Sequence, residues 1–254
     1  MKKQKVLGII PARLNSTRVP GKMLEDILGK PLIQRTLERT QKAQSLDALV
    51  VATDSPQIAD IVKSLGVHVI MTPPEIPTGT DRVGVAAKQF TEFTPDIIVN
   101  IWGDEPLYPA EAIDECVSLL LEDEDLQVSG VGDLLESEVM VAEPSIVKVL
   151  TDLNNNVLML SRSVVPFTHH KDNKGPVHHI IGVMAMRRDF LYTFLNLPQT
   201  PIELQEGVEQ IRILEHGYRM RIVKGVYNNL GVNTPEELKK VTEIFRRRQN
   251  TPQT

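Results

Sequence analysis

An apolar run, Val6-Leu-Gly-Ile-Ile10, feeds directly into a loop carrying Arg13, Arg18 and Lys22 among small hydroxyl residues, Pro20 and Gly21. A run of this length bounded by turn residues reads as an interior strand of a parallel sheet. In open α/β sheets, ligands bind just beyond the carboxyl ends of such strands. Three cations on one loop there call for an anionic partner. A polyphosphate fits best, since arginine matches its oxygens with a planar fork and lysine acts as a point charge. The alternative is a solvated basic loop joining a strand to a helix.

The strand signal recurs at Leu49–Ala52, Val67–Met71 and Ile97–Ile101. Helical patterns alternate with these runs at about Leu32–Gln44, Gln57–Leu65, Arg82–Phe90 and Ala110–Leu121. Such alternation predicts βαβ units and a largely parallel sheet, with Gly66 at a helix C-cap. From about residue 126 the pattern changes. Ser145–Thr151 and Val157–Arg162 flank the turn-rich Asp152-Leu-Asn-Asn-Asn156 and predict a hairpin. His169–Gly175 reads as an exposed loop, Ile180–Met186 as a strand, and Arg188–Leu195 and Ile202–His216 as helices. The pattern then returns to α/β with a strand at Met220–Val226 and a helix opened by Thr234-Pro-Glu-Glu237, a capping box with proline at the first position. The expected organisation is a nucleotide-binding α/β core over 1–125, a smaller mixed insertion over 126–218, a return to the core over 219–248 with a C-terminal helix, and a tail over 249–254.

The formal net charge of −5 argues against a nucleic-acid partner. Cys116 is the single cysteine, so an internal disulfide is excluded and a reducing cytoplasm is the natural setting. Its helical spacing with Ile113, Val117 and Leu120 suits a small core residue. The lysine-rich start is followed by an apolar run that stops at Pro11 and Arg13, which does not suit a signal peptide. Nothing approaches the ~20 apolar residues of a membrane span.

Two common phosphate motifs are absent. Gly130-Val-Gly132 lacks the third glycine of a dinucleotide fold, and Gly21-Lys22 lacks the spacing of a Walker loop. A second site element is Asn100-Ile-Trp-Gly-Asp-Glu-Pro106, where Asp104 and Glu105 fall at the carboxyl end of a strand, on the same edge as the cationic loop. Carboxylates beside a phosphate site suit Mg²⁺, which takes hard oxygen ligands and shares them with substrate phosphates. The alternative is an acidic pair stabilised at a helix start ahead of Pro109. A third element, Pro77-Thr-Gly-Thr-Asp-Arg82, offers Gly79 and Thr80 backbone N–H groups to a base or phosphate and Arg82 to an anion. His169, His170, His178 and His179 make a poor zinc set, because the intervening segment is loop-like and no cysteine joins them.

Taken together, Ile9-Ile-Pro-Ala-Arg-x-x-Ser-Thr-Arg-x-Pro-Gly-Lys22, Val51-Ala-Thr-Asp54, Thr78-Gly-Thr-Asp-Arg82, Gly103-Asp-Glu-Pro106, Ser161-Arg162, Glu209-Gln-x-Arg212 and Thr234-Pro-Glu-Glu-Leu238 resemble the 3-deoxy-manno-octulosonate (Kdo) cytidylyltransferases. These motifs are collinear and cover nearly the whole chain. The resemblance implies a nucleotide-diphospho-sugar transferase fold, usually dimeric, in a cytoplasmic enzyme of lipopolysaccharide assembly. The implied reaction joins CTP to a 2-keto-3-deoxy sugar acid with Mg²⁺, giving a CMP-sugar and pyrophosphate. By position, Pro11 and Ala12 would approach the cytosine. Arg13, Ser16 and Lys22 would hold the triphosphate, and Arg18 would meet the triphosphate or the sugar carboxylate. Thr78, Gly79 and Arg82 would shape the nucleotide pocket. Arg13, Lys22 and Asp104 would be the catalytic set, with Asp104 a metal ligand, and Glu209 and Gln210 would face the sugar.

The departures fall on the sugar and second-metal side. The family's second metal-binding aspartate is Asn233 here, an amide oxygen without charge. The glutamine before Gly-Asp-Glu-Pro is Trp102. The family's His-x-Gly-x-Tyr reads Ile180-Ile-Gly-Val-Met184, with His179 shifted by one and expected on the opposite strand face. These changes leave fewer hydrogen-bonding groups for a polyol, each worth about 1–3 kcal/mol when left unsatisfied. They predict an acceptor that is Kdo-like but modified or less hydroxylated. Two other readings are a non-catalytic nucleotide or sugar binder and a nucleotidyltransferase with a different nucleotide or acceptor.

Overall fold

The computed structural model describes residues 3–14, 19–169 and 175–250. Ser16, Arg18, His170 and the end of the tail lie outside the described residues. Two compact units are present, Met1–Asp114 with Asn229–Thr254, and Glu115–Asn228.

In the first unit the four apolar runs become β1 (Val6–Ala12), β2 (Ala48–Thr53), β3 (His68–Met71) and β4 (Ile97–Ile101). They are parallel, in the order β3-β2-β1-β4, with Ile9 level with Val50 on one side and Asn100 on the other. β1 and β4 are buried almost throughout, as strands covered on both faces must be. Helices α1 (Leu32–Thr40), α2 (Pro56–Ser64) and α3 (Gly79–Gln89) complete the βαβ alternation. Local chemistry fixes their ends. Ser55 Oγ accepts from the Ile58 N–H with Pro56 at the first position, and Gly66 past the end of α2 is left-handed at φ +73°. α3 starts three residues before the predicted Arg82, because the Thr78 hydroxyl accepts from the Asp81 N–H and opens the helix there. α1 stops before Gln44, its last carbonyls closed by turns at Lys42 and Ala43.

The chain returns to this unit as α9 (Pro235–Asn250), the other helices being numbered below. Its capping box is formed: the Glu237 N–H donates to Thr234 Oγ1 at 3.1 Å, and Glu237 Oε2 accepts from the Thr234 N–H at 3.1 Å. Val241 and Phe245 of α9 share an apolar cluster with Ile27, Leu32, Leu107 and Val232. That cluster ties the helix to the loops that bear the site.

The second unit is mixed and runs over Glu115–Asn228, so β9 falls in it rather than in the first unit. The chain enters it along α4 (Glu111–Glu122). It holds β5 (Val128–Leu134), α5 (Glu138–Ala142), β6 (Lys148–Thr151), β7 (Val157–Ser161), β8 (His178–Arg187), α6 (Arg188–Asn196), α7 (Pro201–Glu206), α8 (Gln210–Glu215) and β9 (Met220–Gly225). β5 runs antiparallel to β8 and parallel to β9, while β6 and β7 form the predicted hairpin. β5 escaped the sequence reading because Gly130 and Gly132 interrupt its apolar pattern. A Cβ at Gly130 would come within 2.6 Å of Met220 Cε, and one at Gly132 within 2.8 Å of Ile222 Cδ1. These glycines therefore serve packing across the sheet. The single helix predicted over Ile202–His216 is two, α7 and α8, divided at Gly207, whose φ of +64° no helix interior accepts. Cys116 is buried, with its thiol pushed up to about 11 by burial, in keeping with a core role.

Candidate active site

Because β1 and β4 are parallel neighbours, the loops after both lie at one edge of the sheet. After β1, Leu14 gives its carbonyl to the Gly21 N–H at 3.1 Å. Gly21 is left-handed at φ +68°, a conformation glycine adopts without a steric cost. The turn swings the chain into a 3₁₀ segment, Lys22–Leu24. Lys22 Nζ then donates to Asp104 Oδ2 at 2.5 Å and to the Val232 carbonyl at 3.0 Å.

Asp104 is fixed from several directions. A Cβ at Gly103 would lie 3.1 Å from Ile10 Cγ2 and 3.3 Å from Met23 Cε, so glycine lets the turn after β4 settle on β1 and the 3₁₀ segment. The Gly103 carbonyl accepts from Thr36 Oγ1 at 2.7 Å, and the Asp104 carbonyl accepts from the Val232 N–H at 2.9 Å. Asn233 is placed by the α9 cap, its N–H donating to Glu237 Oε2 at 2.6 Å. Asn233 Nδ2 and Glu105 Cγ each stand 3.3 Å from where a Gly231 side chain would begin. Glu105 is buried and accepts from Asn229 Nδ2 at 2.5 Å. The structure thus brings Lys22, Asp104 and the Val232 carbonyl together, with Asn233 next in the chain. The Val232 carbonyl gave no sequence signal, being main chain.

The residues expected on the nucleotide side begin at the end of β1. Pro11 is half-buried, Ala12 is buried and Arg13 is exposed. The first turn of α3 leans on β1, since a Cβ at Gly79 would meet Pro11 Cγ at 3.5 Å. Thr78 caps that turn. Arg82 is turned inward, its side chain 2% exposed. Its guanidinium donates to Thr72 Oγ1 and reaches Asp54 Oδ2 at 3.5 Å. Burial, and the positive charge of Arg13, weaken its hold on its proton, while Asp54 opposes both. Trp102 is half-buried in the turn after β4.

In the second unit, Glu209 sits at the N-cap position of α8 and Gln210 is buried at its first turn. Two carboxylates pin this corner. Glu203 takes a fork from Arg212, Nε at 2.8 Å and Nη2 at 2.5 Å, and Arg212 stacks 4.6 Å over the Phe194 ring. Glu206 accepts from Ser161 Oγ at 2.7 Å and from the Arg162 N–H at 2.9 Å. The Ser161-Arg162 motif, which sequence reading left without a role, is therefore a strut for α7. Lys148 is likewise buried, its ammonium spent on the carbonyls of Glu143, Ile146 and Arg162.

Met184 is buried in β8. His179 lies opposite Asp133, with Nε2 3.6 Å from Oδ2. The pairing shifts between Gly130 and Gly132, where β8 spends four residues against two of β5, so plain strand alternation does not run through Gly182. Among the described residues, no three His, Cys, Asp or Glu side chains converge as a metal cage.

A cation already fits between Asp104 Oδ2 and the Val232 carbonyl, in the form of the Lys22 ammonium. These are hard oxygen donors, with the Asn233 amide next in the chain. The set suits a Mg²⁺ ion held by one carboxylate and completed by phosphate oxygens and water, which is how that ion binds at nucleotide sites.

A parallel sheet with a cationic turn and an aspartate at one edge suits a phosphate-bearing ligand, and the likeness to solved structures gives the chain the nucleotide-diphospho-sugar transferase fold. The cytidylyltransferase family profile matches residues 7–222. The 3-deoxy-manno-octulosonate cytidylyltransferases of Solibacter usitatus and Geobacter sulfurreducens are 39% and 40% identical to the chain, covering 96% and 94% of it and 95% and 98% of themselves. A solved CMP:2-keto-3-deoxy-manno-octonic acid synthetase complexed with CTP superposes with a TM-score of 0.89 at 33% identity, over 96% of this chain and 100% of that one. The 4-diphosphocytidyl-2C-methyl-D-erythritol synthase of Anaerococcus prevotii, at 14% identity and TM-score 0.64, shares the fold over 96% of this chain and 99% of its own. The chain belongs to the 3-deoxy-manno-octulosonate cytidylyltransferase family.

Proposed function

We propose that the protein joins CTP to 3-deoxy-manno-octulosonate or a close 2-keto-3-deoxy sugar acid, releasing pyrophosphate. The observation that carries this is the convergence of Lys22, Asp104 and Val232 at the carboxyl edge of β1 and β4, the edge where Arg13 follows β1. Pro11, Ala12, Thr78 and Gly79 are the proposed nucleoside-side residues. Arg13 and Lys22 hold the phosphates, joined by Ser16 and Arg18 of the same loop. The anomeric hydroxyl of the sugar acid attacks the α-phosphorus in line and gives up its proton to solvent, as the bond to the pyrophosphate oxygen breaks. No covalent enzyme intermediate is required. Arg13 and Lys22 stabilise the charge that builds on the phosphate oxygens and on the leaving group. Asp104, with Asn233 beside it, would hold Mg²⁺, which when bound supplies electrostatic stabilisation of those oxygens.

Glu209 and Gln210 are proposed as sugar-side residues, with Trp102 and Met184 where the family motif implies more hydrogen-bonding groups. A second reading, in which the acceptor is a less hydroxylated or modified relative of Kdo, rests on those two residue types. A homodimer is proposed from the apolar side chains left exposed near the β6–β7 hairpin. These include Leu158, Val164 and Phe167, the last 85% exposed. A cytoplasmic setting is proposed from the family; no helix among the described residues is long and apolar enough to cross a membrane.

The test is CTP-dependent pyrophosphate release across a panel of 2-keto-3-deoxy acids, each nucleoside triphosphate being tried in turn. Turnover with CTP and Kdo or a close analogue is expected. Turnover only with another nucleotide, or CTP binding without turnover on any acid, would overturn the reading.

A further inference from the structure

Asp54 follows β2 and, like Arg82, points into the protein; its side chain is 8% exposed. Its two oxygens do different things. Oδ1 accepts the Leu14 N–H at 3.1 Å, and Oδ2 faces Arg82 Nη2 at 3.5 Å. Leu14 follows Arg13, and its carbonyl receives the Gly21 N–H that precedes Lys22. Both described ends of the cationic loop therefore close on Leu14, and Leu14 is hung from Asp54. Arg82 is anchored in turn by Thr72, whose own N–H donates to the Thr53 carbonyl at 2.8 Å, next to Asp54. The result is a braced carboxylate beneath the loop, in a motif whose role the reaction chemistry leaves open.

We propose that Asp54 is a positioning residue for nucleotide binding: it sets the place of Arg13 and Lys22 by holding Leu14, and its charge balances the buried Arg82 beneath the loop. A buried cation is costly unless a counter-charge faces it. Asp54 supplies that counter-charge while spending its second oxygen on the loop backbone. The inference rests on the reading of residues 13–22 as the phosphate-binding loop.

The test is steady-state kinetics with CTP and the sugar acid varied separately, alongside thermal melts. The variants are Asp54→Ala, Asp54→Asn and the double variant Asp54→Asn with Arg82→Met. Asp54→Ala is expected to raise the KM for CTP by about tenfold, the scale of one lost hydrogen bond to a charged group. The KM for the sugar acid should stay within about twofold, well under the tenfold that 1.4 kcal/mol represents. Asp54→Asn keeps an acceptor for Leu14 but loses the charge, so its CTP effect should be smaller. Arg82 is itself an expected pocket residue, so the double variant is read by its melt: removing the Arg82 charge as well should recover the stability that Asp54→Asn loses. Cooperative melts with an unchanged CTP KM, or a loss confined to kcat in all variants, would overturn the inference. If Asp54→Ala does not fold, the Asn variants decide: no CTP effect in the single variant, or no recovery in the double, overturns it. Wild-type protein without CTP turnover would instead fail the functional reading.

Discussion

Lys22 Nζ lies 2.5 Å from Asp104 Oδ2 and 3.0 Å from the Val232 carbonyl, bridging residues 82 and 210 positions away in the chain. In the free protein, the proposed metal ligand is thus already paired with an internal cation. A divalent ion must compete with that ammonium, whereas a bound triphosphate offers Lys22 a different partner.

Divalent-ion binding should therefore depend on nucleotide. Lys22→Met is expected to raise the affinity of the CTP-free protein for Mn²⁺ by about tenfold, the scale of one nearby charge in a partly solvated site. Electron paramagnetic resonance of free Mn²⁺ measures this directly. Equal affinities in wild type and variant would show that the ion does not compete with Lys22.

Asp104→Asn keeps the shape of the side chain and removes its charge. The expected loss in kcat is about 10²- to 10³-fold, typical of losing one preorganised electrostatic contact to the transition state. The melting temperature should move little, because the Asp104 main chain still binds Val232. Full activity in a well-folded variant would remove Asp104 from the catalytic set.

Asn233→Asp restores a charge beside Asp104 without touching the helix cap, which uses the Asn233 N–H. The Mg²⁺ concentration for half-maximal turnover should fall by severalfold. Superimposable Mg²⁺ titrations of the two proteins would place residue 233 away from the ion.

The α7–α8 corner should fail in acid. For both Glu203 and Glu206, burial alone would raise the carboxyl pKa. Hydrogen bonds from Arg212 to Glu203, and from the Arg162 N–H and Ser161 to Glu206, outweigh it and hold both below the ordinary 4.5. A pKa lowered by folding stabilises the native state above the unfolded value, and that stability is lost as pH falls through the folded value. Melting temperatures should thus decline between about pH 5 and pH 3. Glu206→Gln should flatten the decline, and identical pH profiles would argue against this role.

The parallel half of the fold was legible because its strands are uninterrupted apolar runs and its helices begin at readable caps, Ser55-Pro56 and Thr234-Pro235 among them. β5 was not, because two packing glycines erase its alternation, and Gly207 divides what reads as one helix. At the site, Lys22 and Asp104 were legible as charges at strand ends. The Val232 carbonyl was invisible because any residue carries one. Arg82 was read as a nucleotide-pocket residue and Asp54 only as part of a motif; that the two face each other across 28 positions gave no sequence signal. Ser16 and Arg18 remain expectations from the loop motif.

The distance in chain between Lys22 and Val232 bears on how the protein is made. A polypeptide halted on the ribosome before residue 232 would own the loop, the aspartate and all the named strands, yet lack the carbonyl that finishes the cation's seat. The capping box that holds the neighbouring asparagine closes later still, when Glu237 emerges. On the proposed role of Lys22, competence comes among the last steps of synthesis, after the unit bearing the Glu209-Gln210 corner has been translated, and nascent chains should not consume CTP.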